Sequence, residues 1–393
     1  MKRGPLHVHD KVIVESLHFE HLLHNLSAQG YELIAPTIRD NAIVYDRLSS
    51  SNELPSGWTD EQQGGKYRLK RRPDNALFGY AVGPDAWKKF LHPPIRLLWQ
   101  AKRDSNSFQV LPEDHSCPKY AFIGVRSCEL HAMAIQDRVF LSEPYVDPSY
   151  KSRRERVFIV AVNCGVAGGT CFCASMKTGP RVTSGFDLLL TEVLRDERHY
   201  LVTEIGTELG ATVLAEVPNE PATEFDNHFV ETILSNTTSH MGRDLDTEGI
   251  KDLLYRNYEN PRWDATATRC LTCSNCTMVC PTCFCTTVED VTDLAGQYAE
   301  RWQKWDSCFT MDFSYIHGGN VRATTKSRYR QWLTHKLATW IDQFGTSGCV
   351  GCGRCITWCP VGIDLTEEVR AIRESELAAT RSNPGGKDHD AQP

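Results

Sequence analysis

The sequence predicts an α/β domain over residues 1–222, followed by a mainly α-helical domain over residues 223–376. Two nearly continuous apolar runs, 120–126 and 157–163, are typical of strands that are buried on both faces of a parallel sheet. Helical patterns follow both runs, and this alternation of strand and helix is the order found in α/β folds. Near residue 225 the spacing of apolar residues becomes mostly helical, which places the domain boundary.

The other elements follow from local patterns. Helices are predicted at 10–28, 129–140, 186–194, 247–258 and 326–344. Short strands are predicted at 31–36 and 42–45. The polar tail at 377–393 has no periodicity and is predicted to be disordered.

Composition narrows the possible functions. The chain has 393 residues, and no apolar run approaches the ~18 residues that a membrane helix needs. Its net charge of -7 provides no basic field for a phosphate backbone, so neither a membrane nor a nucleic acid is expected as a partner. The N-terminus lacks the apolar segment of a secretion signal, so the expected compartment is the cytoplasm. Disulfides are rare there, and the 16 cysteines therefore predict metal or redox chemistry.

Two segments of the chain, 270–281 and 349–360, share the spacing C-x2-C-x2-C-x3-C-P. Three thiolates at this spacing wrap one corner of a 4Fe-4S cluster, and the fourth ligates the other cluster in two-cluster ferredoxins. Zinc sites, which use C-x2-C pairs, and a disulfide framework fit less well. The sequence therefore predicts two 4Fe-4S clusters with crossed ligands. Thiol set 1 is Cys270, Cys273, Cys276 and Cys359, and thiol set 2 is Cys349, Cys352, Cys355 and Cys280.

The interval between the two signatures, from 280 to 349, is much longer than a small ferredoxin hairpin fold needs. It also contains helical patterns. This indicates a two-cluster ferredoxin-like domain of the helical type, in which helices bring the crossed ligands together.

Four further cysteines form a candidate third site, which we call thiol set 3: Cys128, Cys164, Cys171 and Cys173. Cys128 and Cys164 each follow one of the two buried strands. If these strands are parallel neighbours, both thiols emerge at the carboxyl edge of the sheet, where open α/β sheets bind their ligands. A glycine-rich loop at 165–170 precedes the other two and allows the backbone to approach a bulky group closely. A third 4Fe-4S cluster is predicted here, with buried structural thiols as the alternative.

The remaining cysteines are harder to interpret. Cys283 and Cys285 repeat the Thr-Cys-Phe-Cys form of thiol set 3 and would complete a site with Cys308, but packing or supporting roles are preferred for all three. Cys117 is predicted to be an ordinary thiol.

A basic stretch precedes the second signature, and its charged residues are Lys326, Arg328, Arg330, His335 and Lys336. Such a face is usually solvated. Docking of an acidic partner is the alternative.

No dinucleotide fingerprint, nucleotide triphosphate loop, haem attachment site or zinc-peptidase motif is present in the sequence. No catalytic residue is therefore predicted. The chain is expected to act as a subunit of an oxidoreductase complex and not to be catalytic alone.

The segments 124–130, 163–173, 270–285, 305–308 and 349–360 together resemble the iron-sulfur β subunit of cytoplasmic sulfhydrogenase-type nickel-iron hydrogenases. The same family includes the A subunit of anaerobic sulfite reductase. The resemblance implies an electron relay between a flavin- and NAD(P)-binding subunit and the small subunit of a hydrogenase, which leads to the nickel-iron centre in the large subunit. It also implies the helical two-cluster domain and places thiol set 3 at matching positions.

Three functions follow from this reading. The first is an electron-transfer subunit of a hydrogenase complex. The second is the corresponding subunit of a sulfite reductase, which would need a sirohaem partner. The third is an iron-sulfur redox sensor or adaptor, which is disfavoured because no DNA-binding element is recognisable.

Overall fold

The structure is a computed structural model that describes residues 5–81, 83–104, 107–112 and 116–382. Its strands are β1 (Lys11–Glu15), β2 (Glu32–Arg39), β3 (Ala42–Arg47), β4 (Trp58–Gln63), β5 (Lys66–Arg71), β6 (Ile95–Asp104), β7 (Ser107–Pro112), β8 (Tyr120–Val125), β9 (Phe158–Val162), β10 (Leu188–Arg195), β11 (Arg198–Ile205), β12 (Glu220–Pro221), β13 (Thr286–Thr292), β14 (Tyr298–Trp305), β15 (Tyr315–Ile316) and β16 (Gly319–Asn320).

The α-helices alternate with these strands in the first half of the chain and dominate the last third. They are α1 (Phe19–Ala28), α2 (Lys88–Leu91), α3 (Ser127–Phe140), α4 (Pro148–Arg154), α5 (Glu208–Leu214), α6 (Glu224–Ser239), α7 (Ile250–Arg256), α8 (Arg262–Ala267), α9 (Asn275–Met278), α10 (Thr325–Thr334), α11 (Trp340–Phe344), α12 (Arg354–Thr357) and α13 (Leu365–Ser382). Within the described residues, no helix combines the length and apolar character needed to cross a bilayer.

The larger sheet has the strand order β12-β1-β11-β10-β9-β8-β2-β3. Its central strands β2, β8, β9 and β10 are parallel, and the outer pairs are antiparallel. Alternate residues of the central strands enter different cores: Ile123 and Val160 pack on one face, and Phe122 and Ile159 pack on the other. The runs 120–126 and 157–163 are neighbouring parallel strands, which is the condition on which the predicted placement of Cys128 and Cys164 depended.

Two predicted helices near this sheet are wrong. The segment 186–194 contains most of strand β10. Its three consecutive leucines fit a strand that is buried on both faces as well as they fit a helix, so the pattern alone does not distinguish the two. The segment 10–28 begins as strand β1, and its α-helix starts only at Phe19. In β1, Val12 and Val14 face one core while Ile13 faces another, which is the period-two pattern of a strand.

A second sheet joins segments from both sides of the predicted boundary at 222/223. Its strand order is β13-β14-β6-β7, so the hairpin between the two cysteine signatures pairs with a hairpin from the first part of the chain. Helix α6, just after the boundary, also packs on the larger sheet through Val230 and Leu234. The fold therefore has mixed α and β content on both sides of residue 222.

The helices of the last third surround a separate core, in which Trp263, Leu333, Ile356 and Val369 are buried. The predicted helix at 326–344 is present as α10, a π-helical turn at His335–Thr339, and α11. Helix α13 extends to Ser382, into the predicted disordered tail, and residues 383–393 lie outside the described part of the chain.

Candidate iron-sulfur sites

Thiol set 1 surrounds a cavity. The loop from α8 to α9 carries Cys270 and Cys273, and its Thr272 and Ser274 have positive φ angles of 51° and 66°, as a tightly wrapped loop requires. All four members of the set line this cavity. Cys359 reaches it from the far end of the second signature. This is the arrangement that crossed ligation requires.

The charges that act on the Cys276 thiol come from the other three members of this set. Burial raises the pKa of Cys276 well above that of a free thiol, and the charges of Cys270, Cys359 and Cys273 raise it further. Thiols this close cannot all ionise unless a cation is present. Iron ions remove this penalty because they displace the protons.

Thiol set 2 is grouped in the same way. Burial raises the pKa of Cys355 well above its usual range, and the charges of Cys349, Cys352 and Cys280 raise it further. Cys280, the member supplied by the first signature, is buried and accepts a hydrogen bond from Lys336 Nζ at 3.0 Å. The structure thus brings together the four thiols that the spacing assigned to this set.

Thiol set 3 also comes together, at the carboxyl edge of β8 and β9. Cys128 lies in the first turn of α3, directly after β8, and Cys164 follows β9. Burial raises the pKa of Cys171 to about 12, and the charge of Cys164 contributes to the rise. Burial raises the pKa of Cys173 as well, with contributions from Cys171 and Cys164, so the loop cysteines face those at the strand ends.

Two glycines of the second signature allow thiol sets 2 and 3 to lie against each other. A Cβ at Gly351 would lie 2.7 Å from backbone atoms of Cys173, and one at Gly353 would lie 2.3 Å from the Thr170 carbonyl oxygen. Both glycines also have positive φ. The Phe172 N–H donates to the Gly351 carbonyl oxygen at 2.8 Å, so the two cysteine loops share a backbone hydrogen bond. Side chains other than glycine would force these loops apart.

A buried ion pair connects the same two loops. Arg354 of the second signature donates from Nη2 to Glu129 Oε1 at 2.5 Å, and both side chains are about 1% exposed. Tyr45 Oη and Trp87 Nε1 donate to the other carboxylate oxygen at 2.7 and 2.9 Å. Glu129 directly follows Cys128, so this network fixes thiol set 3 relative to thiol set 2.

A buried cation lies near each thiol set. Arg328 lies near Cys270, where its charge lowers the thiol pKa against the effect of burial, and Arg126 acts in the same way on Cys164. Lys336 contacts Cys280. For Arg328 and Lys336 this corrects the sequence interpretation of a solvated or partner-docking basic face. Arg328 is buried, and its guanidinium donates to the carbonyl oxygens of Phe309 and Ala323, at 2.7 and 3.0 Å.

Sequence reasoning missed Glu129, Arg354 and Lys336 as parts of the sites. Glu129 and Arg354 are adjacent in the chain to candidate ligands, and that adjacency is the signal that was available. Lys336 lies in the π-helical turn, which is a feature often found at functional sites but is not visible in a sequence.

The unassigned cysteines lie beside thiol set 2 or apart from all sets. The interaction between the Cys280 and Cys283 thiols lowers the pKa of Cys280 and raises that of Cys283, and the thiols of Cys285 and Cys308 affect each other in the same way. Cys117 Sγ lies 3.5 Å from Ser152 Oγ.

We expect protein purified without oxygen to contain about twelve irons per chain, since three sets of four thiols suit three 4Fe-4S clusters. Changing Cys171 and Cys173 to Ser should lower the content to about eight. The matched control is Cys117→Ser, which should keep the full content. Iron and sulfide analysis checks this result, and a wild-type value near eight that the double variant leaves unchanged would make thiol set 3 structural.

The donor sets suit iron-sulfur clusters: each has four thiols, thiol set 1 lines a cavity, and a cation is buried nearby. Comparison with known protein families agrees, because residues 269–363 match the family model of the 4Fe-4S dicluster domain. The chain thus contains a 4Fe-4S dicluster domain and is an iron-sulfur protein.

The chain is also similar to a curated protein, the sulfhydrogenase 2 subunit beta of Pyrococcus furiosus. The two are 34% identical over 290 residues, which is 73% of this chain and 82% of the relative. The chain belongs to the family of sulfhydrogenase β subunits. No solved structure matches it.

Proposed function

We propose that the chain relays electrons between a flavin- and NAD(P)-binding subunit and a nickel-iron hydrogenase module of small and large subunits. The observation that carries this proposal is the order of the thiol sets. Cys355 lines the cavity of thiol set 1 although it belongs to thiol set 2, and the Cys171 thiol donates to the Cys352 carbonyl oxygen at 3.8 Å. The three sets therefore form an uninterrupted series.

Two features of the chain suit a relay. Each 4Fe-4S cluster, when bound, exchanges one electron with little change in ligand geometry. The buried cations offset the negative charge of the thiolates, and such charges help to set the potential. Cys273, at one end of the series, is exposed, and the neighbouring Leu271 is 61% exposed. That end is our candidate for contact with a partner.

We also propose the finer organisation. Residues 1–222 form the α/β unit that holds thiol set 3, and residues 223–376 form a mainly α-helical two-cluster unit. Helices α8 to α13 flank the cysteine loops of this second unit, while its hairpin β13–β14 is shared with the first unit through the smaller sheet. The cytoplasm is the proposed compartment, because a reducing environment keeps the thiols available for iron.

We expect the Cys352→Ala variant of the assembled complex to lose hydrogen-dependent NAD(P) reduction down to background. Each half-reaction with an artificial dye should continue, because the partner subunits keep their own centres. The control is Cys117→Ala in the same complex. Hydrogen-dependent NAD(P) reduction that survives when electron paramagnetic resonance shows the cluster to be absent would mean that electrons bypass this chain.

The subunits that co-purify with the chain distinguish the two candidate partner complexes. Nickel in the co-purifying subunits supports the hydrogenase module, whereas the absorption of sirohaem would identify a sulfite reductase.

A further inference from the structure

Two of the unassigned cysteines meet where hairpin β13–β14 begins and ends. Cys285 directly precedes β13, and Cys308 lies just after β14. The Asp306 N–H donates to the Cys285 carbonyl oxygen at 2.8 Å, which extends the pairing of Thr286 with Trp305. The hairpin therefore holds the two cysteines side by side.

The thiols of Cys285 and Cys308 interact with each other. The interaction lowers the pKa of Cys285 and raises that of Cys308. Both cysteines are partly exposed.

The surroundings of the pair favour a thiolate. Lys88 is buried, with its Nζ 3.0 Å from the Cys283 carbonyl oxygen and 3.8 Å from the centre of the Trp305 ring. The interaction with Cys308 lowers the pKa of Cys285 to about 7, and the charges of Lys336 and Lys88 act in the same direction against the effect of burial. A thiol with a pKa near the ambient pH is well suited to attack a disulfide.

The pair is also adjacent to the proposed relay. The Cys283 thiol interacts with the thiol of Cys280 in thiol set 2, and a single residue separates Cys283 from Cys285. Lys336, which contacts Cys280, contributes its charge to Cys285 as well.

We propose that Cys285 and Cys308 form a redox-active dithiol that exchanges electron pairs with disulfide compounds and single electrons with thiol set 2. When the pair closes, one S–S bond forms and two S–H bonds break. The two protons and two electrons pass to an outside disulfide, which becomes two thiols. The pair opens when its S–S bond breaks and takes up two protons from solvent and two electrons, which a cluster bound by thiol set 2 would supply one at a time.

A role as cluster ligands is the alternative for this pair. The iron content of the serine variants distinguishes the two roles, because loss of a cluster ligand lowers it.

Closure is tested on the full cluster-loaded protein, equilibrated without oxygen in mixtures of oxidised and reduced glutathione. After acid quenching and alkylation, we expect mass spectrometry to find a peptide that links Cys285 to Cys308. Cys117→Ser should retain the link. Cys285→Ser and Cys308→Ser should lose it and keep the wild-type iron content. The wild-type measurement decides the question even if a variant fails to fold.

Two results would overturn the proposal. In the first, both cysteines stay fully alkylated at every glutathione ratio. In the second, either serine variant loses about four irons, which would make these thiols cluster ligands.

The opening step rests on the proposed relay and is tested separately. Reduced methyl viologen, a one-electron donor, should restore both thiols in the linked wild-type protein. Linked Cys352→Ser protein should stay closed because its thiol set 2 is incomplete. If the disulfide forms in Cys352→Ser and reduced methyl viologen also opens it there, the dithiol proposal stands, but thiol set 2 is excluded as the source of its electrons.

Discussion

The Cys359→Ala variant is expected to lose the cluster of thiol set 1, about four of about twelve irons, and to keep the cluster of thiol set 2. The reason is that the charge of Cys359 acts on Cys276 of thiol set 1, whereas Cys355, its nearest cysteine in the chain, is affected by the other members of thiol set 2. A model without crossing predicts the reverse loss.

Electron paramagnetic resonance of the reduced protein distinguishes the two outcomes. The spectrum of Cys359→Ala should match that of Cys273→Ala, a variant that affects thiol set 1 under either model. It should differ from the spectrum of Cys352→Ala, in which thiol set 2 is damaged under either model. A match with Cys352→Ala would refute crossed ligation.

The Arg354→Leu variant is expected to lower the free energy of unfolding by about 3–5 kcal/mol, because it leaves the Glu129 carboxylate buried without its cation. The matched control is Arg301→Leu. Arg301 forms a bidentate ion pair with Asp290, but both side chains are exposed, so this loss should cost about 0–1 kcal/mol. Urea unfolding at equal iron content measures both.

A second substitution tests whether the unpaired charge is the cause. Adding Glu129→Gln to Arg354→Leu removes that charge, so the double variant should be less unstable than the sum of the two single losses. Equal losses in Arg354→Leu and Arg301→Leu would contradict the role given to burial.

Much of the fold was predictable where the signal is local. The runs 120–126 and 157–163 are apolar on both faces, and their parallel pairing followed from the helix between them. Strand β10 was mistaken for a helix because consecutive leucines carry no period. The hairpin β13–β14 was not predicted at all. It pairs with β6, a strand far away in the chain, and most side chains of β13 are exposed, so no apolar pattern marks it.

The candidate sites divide in the same way. Spacing alone grouped the cysteines of thiol sets 1 and 2, because the signature is a property of consecutive residues. The interaction between Cys285 and Cys308 depends on the register of a hairpin, and the contact between Lys336 and Cys280 depends on helix packing. Neither interaction can be inferred from the order of the residues in the sequence.

The cavity shared by Cys359 with the first signature has a consequence for biosynthesis. Ribosomes add about 5–20 residues per second, so about 4–16 s pass between the synthesis of Cys280 and that of Cys359. During this interval the nascent chain displays three ligands of thiol set 1 without the fourth, while Cys280 and Cys283 are available as incorrect substitutes. Iron delivered before Cys359 emerges from the ribosome would meet only the incorrect fourth thiols. Correct maturation therefore favours an iron donor that acts after Cys359 has been synthesised.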